Sequence, residues 1–208
     1  MAPALELLRA TKTDLFKTKG VESVQGVLDI LNVTEGHIAS YFGTEVQDPN
    51  TWYAIILWET VAHHQALIDN KTVYPDLIKS ITQGAEKIEF VQHTVLSTAA
   101  PEKALEAPVT EVVLWTVKEG ADKEEVKRLV GELVERVLAT DAVKGRGGFG
   151  SIVEDENKVA VILGWDGYEE FVQAVASTPW VGELVGKIKT LADLDLKHVV
   201  LTKDTSKV

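Results

Sequence analysis

The chain has 208 residues, of which 45% are apolar and 25% are charged, a composition typical of a folded globular protein with a sizeable core. It contains no cysteine, which excludes disulfides, thiolate catalysis and zinc–thiolate sites. The net charge of −11 is spread over both halves without a lysine or arginine stripe, so we expect neither nucleic acid nor an anionic membrane surface as a partner.

The N-terminal segment has no feature of a targeting signal. Residues 1–6 lack the basic region and the apolar run of a secretory signal peptide. No apolar stretch of the sequence approaches the ~20 residues that a membrane-spanning helix needs. We therefore expect a cytoplasmic location.

The first half is predicted to contain strands and helices in the order β-α-β-β-α-β. The predicted strands are residues 4–11, 37–46, 51–58 and 85–96, and the predicted helices are residues 21–31, 60–70 and 74–82. Residues 12–20 are predicted to be a polar loop. The strand at 51–58 is almost entirely apolar, which predicts burial on both faces. Thr60 is predicted to cap the following helix through its hydroxyl.

The second half repeats this order after a segment with the composition of a linker. We therefore divide the chain into a first unit, residues 1–97, a linker, residues 98–108, and a second unit, residues 109–208. In the second unit the predicted strands are residues 111–117, 147–154, 158–165 and 194–201, and the predicted helices are residues 123–138, 168–176 and 179–189. Residues 202–208 are expected to be a frayed tail.

The two halves also match residue by residue, at a spacing of about 105 to 107 positions. The matched pairs are Ala54–Leu57 with Ala160–Leu163, Trp58 with Trp165, Glu59 with Asp166, and His93 with His198. A repeat of this length indicates two copies of one supersecondary unit.

A four-stranded antiparallel sheet with helices on one face leaves the other face bare, and the strands here are too apolar to meet water. We therefore predict an α+β fold. In this fold two ferredoxin-like βαββαβ units pack their antiparallel sheets into one pseudo-twofold β-barrel with the helices outside.

The strand that ends in Trp and an acid, the broken helix pair and the closing strand resemble the dimeric α+β barrel superfamily. This superfamily includes antibiotic-biosynthesis-monooxygenase-like domains and stress-responsive A/B-barrel domains. Its members usually pair two separate chains, so the resemblance implies that this chain is a fused tandem version. A homodimer of the fused barrel is a further assembly that the resemblance leaves open.

The resemblance implies three activities: cofactor-independent oxygenation of aromatic polyketides, polyketide ring closure and haem degradation. Haem-degrading members carry a Trp in the first paired helix and a His about ten residues on. The matching positions here are Leu67 and Leu77 in the first unit and Ala174 and Leu184 in the second. Cyclase-like members carry a Tyr and a His, and the matching positions are Leu67, Val73, Ala174 and Trp180. Neither residue set is present, so we do not expect haem degradation or this type of cyclisation.

His93 and His198 are the candidate catalytic residues, because histidine is the natural acid–base group near neutral pH and the repeat keeps both in mid-strand. Either could be a general base or an anchor for a ligand. The alternative is a buried, hydrogen-bonded histidine retained after duplication. His198 alternates with Leu194, Leu196 and Val200, and burial among aliphatic side chains is expected to lower its pKa.

Two other motifs do not indicate a metal or a cofactor. Glu59 and His63 are four residues apart at a helix start, beside His64, but a third ligand at useful spacing is missing. We therefore predict no metal site there. Residues 145–150 match G-x-G-x-x-G, yet the motif follows a helix and enters a strand, which is the reverse of a dinucleotide site. No cofactor is predicted.

Large aromatic side chains on strands and helices can line a pocket for a planar apolar ligand. The candidate ligand-binding residues are Trp58, Trp115, Trp165, Tyr168, Trp180 and His198. The alternative role of these rings is to fill the core. Because the two units differ at several of these positions, we expect a ligand site in one unit only, and the second unit is favoured.

Three functions remain open on the sequence. The favoured one is a non-catalytic or stress-associated α+β barrel protein that holds a small hydrophobic or aromatic molecule. The second is a cofactor-independent monooxygenase or polyketide-cyclase-like enzyme that acts on an aromatic substrate, with His93 or His198 as its base. The third is a purely structural stress protein.

Overall fold

The computed structural model describes residues 3–98 and 100–206 and divides into two units. The first unit comprises residues 3–93 together with 202–206, and the second comprises residues 94–201. The strands that begin in the first unit are β1 (Ala4–Lys12), β2 (His37–Glu45), β3 (Thr51–Trp58) and β4 (Ala85–Val95). Its helices are α1 (Asp14–Lys19), α2 (Gln25–Asn32), α3 (Val61–Asp69) and α4 (Tyr74–Gly84), with a 3₁₀ turn at Gly20–Val24.

The second unit follows the same order, with a short additional helix before it and a single helix in place of α1 and α2. Its strands are β5 (Val109–Val117), β6 (Gly147–Ser151), β7 (Lys158–Trp165) and β8 (Ala192–Lys203). Its helices are α5 (Glu102–Leu105), α6 (Lys123–Leu138), α7 (Tyr168–Ala176) and α8 (Pro179–Leu191). Among the residues described, no helix is both long enough and apolar enough to cross a lipid bilayer.

The strand order is the same in both units. It is β4-β1-β3-β2 in the first unit and β8-β5-β7-β6 in the second. The antiparallel register also matches, because Ala4 faces Trp58 in β1 and β3 as Val109 faces Trp165 in β5 and β7. This is the ferredoxin-like βαββαβ arrangement, and the predicted α+β fold class is confirmed.

Helices cover one face of each four-stranded sheet and form a core with it. All eight residues of β3 are buried, as its apolar sequence predicts. In the second unit α6 contributes the predicted apolar stripe, from Val126 to Val137, to the core. Asp122 caps this helix, since its carboxylate accepts hydrogen bonds from the backbone amides of Glu124 and Glu125.

One cross-strand pair shows how the duplicated cores have diverged. In the first unit Ala10 of β1 faces Trp52 of β3. At the matching place in the second unit Trp115 of β5 faces Val159 of β7. Both tryptophans are buried, with 0% and 2% of their surface exposed. The large ring therefore sits on opposite strands of the pair in the two units, opposite a smaller residue each time.

The structure corrects two predictions made for the first unit. The predicted loop at 12–20 contains α1, because the Thr13 hydroxyl accepts a hydrogen bond from the Phe16 amide and starts a helix. The Phe16 ring stacks on Trp52 with 4.4 Å between ring centroids, which holds this helix on the core. Thr60 is the N-cap residue of α3, but its hydroxyl pairs with Nδ1 of His63 at 3.1 Å instead of a backbone amide.

Two segments expected to be loosely held have defined contacts. Residues 98–108 contain α5, whose Ala104 and Leu105 have no exposed surface. In the predicted tail, residues 202 and 203 continue β8, and the Asp204 amide donates to the Ser40 carbonyl at 2.8 Å. Residues 207 and 208 lie outside the described residues.

Residues 145–150 are a helix end and a strand entry, as their position predicts. The Gly145 amide donates to the carbonyl of Leu138, the last residue of α6, at 3.0 Å. Gly147 starts β6 with a φ of +145°, where a side chain would meet the Ile162 carbonyl. These glycines are therefore explained by the backbone conformation at the end of α6 and the start of β6.

Candidate functional site

The second unit contains a cavity of about 170 Å³ between its sheet and its helices. Strands, α6, α7 and α8 all contribute to the lining, which is mainly apolar. Its aromatic members are Trp115, Trp165, Phe171 and Trp180. The guanidinium of Arg136 lies 3.9 Å from the centroid of the Trp180 ring and holds that ring in place from the α6 side.

Glu111 of β5 brings a carboxyl group to this apolar lining. Only 6% of the residue is exposed, and the Trp165 indole Nε1 donates a hydrogen bond to its Oε2 at 2.6 Å. Burial raises the pKa of Glu111 to about 7, while the hydrogen bond from Trp165 opposes the rise. A carboxyl with this pKa can both take up and release a proton near neutral pH.

His198 of β8 lies directly opposite Glu111 in the register of β5 and β8. It is 1% exposed, and the rings of Phe171 and Tyr168 lie 4.3 Å and 4.9 Å from its own ring. Burial lowers the pKa of His198 to about 4, the direction that the sequence predicts. The predicted neighbour Val200 is 52% exposed, so the aromatic rings of α7 supply the apolar surroundings.

The first unit holds a buried polar cluster at the matching place. Nε1 of Trp58 donates to Oε2 of Glu6 at 2.9 Å, and the same carboxylate oxygen lies 3.3 Å from Nδ1 of His64. His64 Nδ1 is in turn 2.6 Å from Nε2 of His93. The Trp58 ring stacks on His64 with 4.9 Å between centroids. Glu6, His64 and His93 are all buried.

The polar cluster of the first unit and the Glu111 site of the second unit share three matching residues. They differ in the helix that follows the tryptophan-bearing strand, which is α3 in the first unit and α7 in the second. Counting along the repeat, Glu6, Trp58 and His93 match Glu111, Trp165 and His198. The next helix carries His64 and Leu67 in the first unit, but Phe171 and Ala174 in the second. The first unit therefore has a polar cluster, and the second has an apolar wall with a small residue beside it.

No protein-family model matches the sequence, and no curated protein matches it. Solved structures nevertheless align over nearly the whole chain. An anthrone oxidase-like protein aligns with a TM-score of 0.72 at 11% identity, over 100% of this chain and 96% of its own. A candidate monooxygenase from Fusobacterium nucleatum gives 0.70 at 11% identity, over 99% and 95%. A candidate monooxygenase from Lactobacillus acidophilus NCFM gives 0.65 at 16% identity, over 99% and 97%.

The chain shares the α+β fold of these solved structures. Identities this low establish the fold alone, so any activity has to be argued from the residues of the site.

The predicted ligand-binding residues fall into three groups in the structure. Trp115, Trp165 and Trp180 line the cavity. Tyr168 and His198 pack against Phe171, which is part of the lining. Trp58 lies in the first unit, in the polar cluster. The structure thus places three of the six predicted residues around one space.

The two candidate catalytic histidines point toward the helices of their own units. His93 contacts His64 of α3, and His198 contacts Tyr168 and Phe171 of α7. Both are buried, at 6% and 1% exposure. The pair Glu59 and His63 lies at the surface instead, with 3.8 Å between the carboxylate and the imidazole.

The sequence did not single out Glu6 or Glu111, and it indicated His64 only as a neighbour of Glu59 and His63 at the helix start. The sequence does contain a feature that points to the two glutamates. The first strand of each unit carries a single carboxylate among mostly apolar residues, and the two carboxylates lie at matching positions of the repeat. Such a residue is almost never buried unless it is paired, so its position in an apolar strand indicates a partner.

Proposed function

We propose that the second unit binds a small planar aromatic molecule in its cavity. The observation that supports this proposal is a space of about 170 Å³ bordered by four aromatic rings and the carboxyl of Glu111. Apolar cavities of roughly 150 Å³ can hold a molecule the size of benzene. The ligand is therefore expected to have one or two rings, with one polar group that meets Glu111.

A second function, catalysis on that molecule, is favoured by the pKa of about 7 at Glu111. Its carboxylate would take a proton from an activated CH₂ group of the bound molecule and leave a carbanion. The carbanion would then react with O₂, which is the oxidant. In the overall step the CH₂ becomes C=O, one oxygen atom enters the product and the other leaves as water. The likeness to candidate monooxygenases and to an anthrone oxidase-like protein supports this alternative.

The binding proposal is tested by filling the cavity with the residue of the other unit. Ala174 lines the cavity, and Leu67 occupies the matching position in the first unit, where it is 5% exposed. Ala174→Leu should therefore be tolerated by the fold and should occupy the space that a ring would take. We expect at least a ~10-fold loss of affinity for indole and 1-naphthol, because the three added carbon atoms overlap the ligand.

The measurement is a titration followed by tryptophan fluorescence, with thermal shift as the second readout. Val172→Leu is the matched control, because Val172 lies on the same helix but is 46% exposed. This control should bind the probes as the unchanged chain does. Equal affinity of the Ala174→Leu variant and the unchanged chain, or no binding of any ring compound, would contradict the proposal.

A further inference from the structure

We propose that the first unit binds a divalent first-row transition metal ion through Glu6, His64 and His93. This site is separate from the proposed ligand cavity, which lies in the second unit. The site does not depend on the function proposed above.

The three side chains come from three different elements and meet at one point. Glu6 lies on β1, His64 on α3 and His93 on β4. Their ligand atoms all lie within 4.8 Å of one another. The closest approaches are 2.6 Å between the two imidazole nitrogens and 3.3 Å between His64 Nδ1 and the Glu6 carboxylate.

These distances fit a site that needs only a small adjustment to hold an ion. With metal–ligand bonds of about 2.0 to 2.2 Å, neighbouring ligand atoms are roughly 2.8 to 3.1 Å apart in an octahedral site and roughly 3.3 to 3.6 Å apart in a tetrahedral site. The separation of 3.3 Å between His64 and Glu6 already fits a tetrahedral site. The two imidazoles would have to move apart by several tenths of an ångström.

The donor set selects the class of metal. Two imidazole nitrogens and one carboxylate oxygen suit Zn²⁺, Fe²⁺, Co²⁺ and related ions. The hard cations Ca²⁺ and Mg²⁺ prefer sites made of oxygen ligands and are disfavoured here. Three protein ligands would leave at least one coordination position for water or another small molecule.

Trp58 supplies the support that such a ligand set requires. Its indole Nε1 donates to Glu6 Oε2 at 2.9 Å, which fixes the carboxylate. Its ring also lies almost parallel to the His64 imidazole, with an interplanar angle of 10°, which fixes that ring. Partners of this kind orient metal ligands and raise metal affinity.

The second unit contains the same frame without the third ligand. Glu111, Trp165 and His198 match the first unit, but Phe171 stands where His64 stands. His64 is therefore the residue that completes the set. The sequence predicts no metal site, because no third ligand lies at useful spacing from Glu59 and His63 along the chain. The ligands proposed here are brought together by the sheet and α3 instead.

The test is titration of the chelator-treated full chain with Co²⁺, followed by its visible absorption, and with Zn²⁺ in competition with a chelator. We expect one equivalent of either ion. His64→Phe, which copies the second unit, should weaken binding by at least ~100-fold, because loss of a ligand should exceed the 10- to 100-fold effect of losing an outer partner. Glu6→Gln should also weaken binding and serves as the deciding variant should His64→Phe not fold.

His63→Gln is the matched control, since His63 is the neighbouring histidine at the protein surface, and this variant should bind as the unchanged chain does. Phe171→His should raise the stoichiometry from one equivalent to two, and a value that stays at one would overturn the role given to His64. The proposal is also overturned when the unchanged chain takes up neither ion. The same holds when His64→Phe and Glu6→Gln bind both ions unchanged, or when the loss in His63→Gln equals the loss in His64→Phe.

Discussion

At the scale of single residues, one helix position decides what a buried carboxyl can do. Glu6 has His64 as its neighbour at 3.3 Å and belongs to a polar cluster. Glu111 has Phe171 at the matching place and borders an apolar cavity, and burial raises its pKa to about 7 although the Trp165 indole donates to it. The inward direction of His64 could not be read from the sequence, because the adjacent His63 and His64 differ by about 100° around the helix. Only the packing of α3 shows which of them is buried.

The catalytic alternative is tested at Glu111. Glu111→Gln keeps an acceptor for the Trp165 indole and nearly the same volume, but the amide cannot take up a proton. With a bicyclic ketone that has an activated CH₂ group as the probe, O₂ consumption should fall by ~100-fold or more, within the range that a general base contributes. In the unchanged chain the rate should rise with pH through about 7, as the carboxyl ionises.

The control for this experiment is the binding of the same probe by both proteins. Affinity within a few-fold of the unchanged chain assigns the lost rate to the proton transfer. An oxidation rate that Glu111→Gln leaves intact, or a rate that does not vary with pH between 6 and 8, would rule out Glu111 as the base.

At the scale of elements, long apolar strands could be predicted and short helices could not. The bounds of β3 and β7 agree with the prediction, because eight mostly apolar residues end in a polar turn on each side. The helices α1 and α5 have six and four residues, too few for a helical period to appear in the sequence. A local cap from Thr13 starts α1, and both helices are stabilised by the burial of Phe16 or Leu105, which is a tertiary effect.

The Trp115 and Val159 pair gives a prediction at this scale. Trp115→Ala should cost about 3 to 5 kcal/mol in the free energy of unfolding, because a large buried ring is lost. Val159→Trp alone should overpack the core and cost about 1 to 3 kcal/mol. Together they copy the Ala10 and Trp52 pair of the first unit. The double variant should therefore be about 1 to 3 kcal/mol more stable than the sum of the two single effects predicts.

Urea unfolding of the four proteins gives this coupling free energy. Trp115→Ala combined with Leu28→Ala, a buried position in the first unit, serves as the comparison and should be additive. Additivity of the Trp115 and Val159 substitutions would mean that the second unit cannot take the packing of the first.

At the scale of the whole molecule, the duplication made the fold predictable from the sequence, but it did not make the chemistry of the two sites predictable. The repeat of strand-final tryptophans and mid-strand histidines was sufficient to predict two ferredoxin-like units. Differences between the units favoured a ligand site in the second unit, but they gave no sign that the first unit would hold a polar cluster. That difference depends on substitutions such as His64 and Phe171, or Leu67 and Ala174, whose effect depends on the contacts of the folded chain.

The opposite pKa changes of Glu111 and His198 give a prediction for the pH dependence of the whole chain. Glu111 has a raised pKa, from 4.5 to about 7, so its contribution to stability is present below pH 4.5 and is lost as the pH rises through 7. His198 has a lowered pKa, from 6.5 to about 4, so its contribution is present above pH 6.5 and is lost as the pH falls through 4. Each effect amounts to about 3 kcal/mol.

Between pH 4.5 and 6.5 the two slopes have opposite signs, so together Glu111 and His198 should leave the free energy of unfolding nearly independent of pH. Removing one group should reveal the pH dependence that the other group causes. As the pH falls from 6.5 to 4, Glu111→Gln should lose about 3 kcal/mol of stability, because His198 remains. As the pH falls from 7 to 4.5, His198→Gln should gain about 3 kcal/mol, because Glu111 remains. Urea unfolding across this range, expressed as differences from the unchanged chain, measures both slopes, and the double variant should be flat again. Single variants whose curves run parallel to that of the unchanged chain would show that neither group changes its pKa on folding.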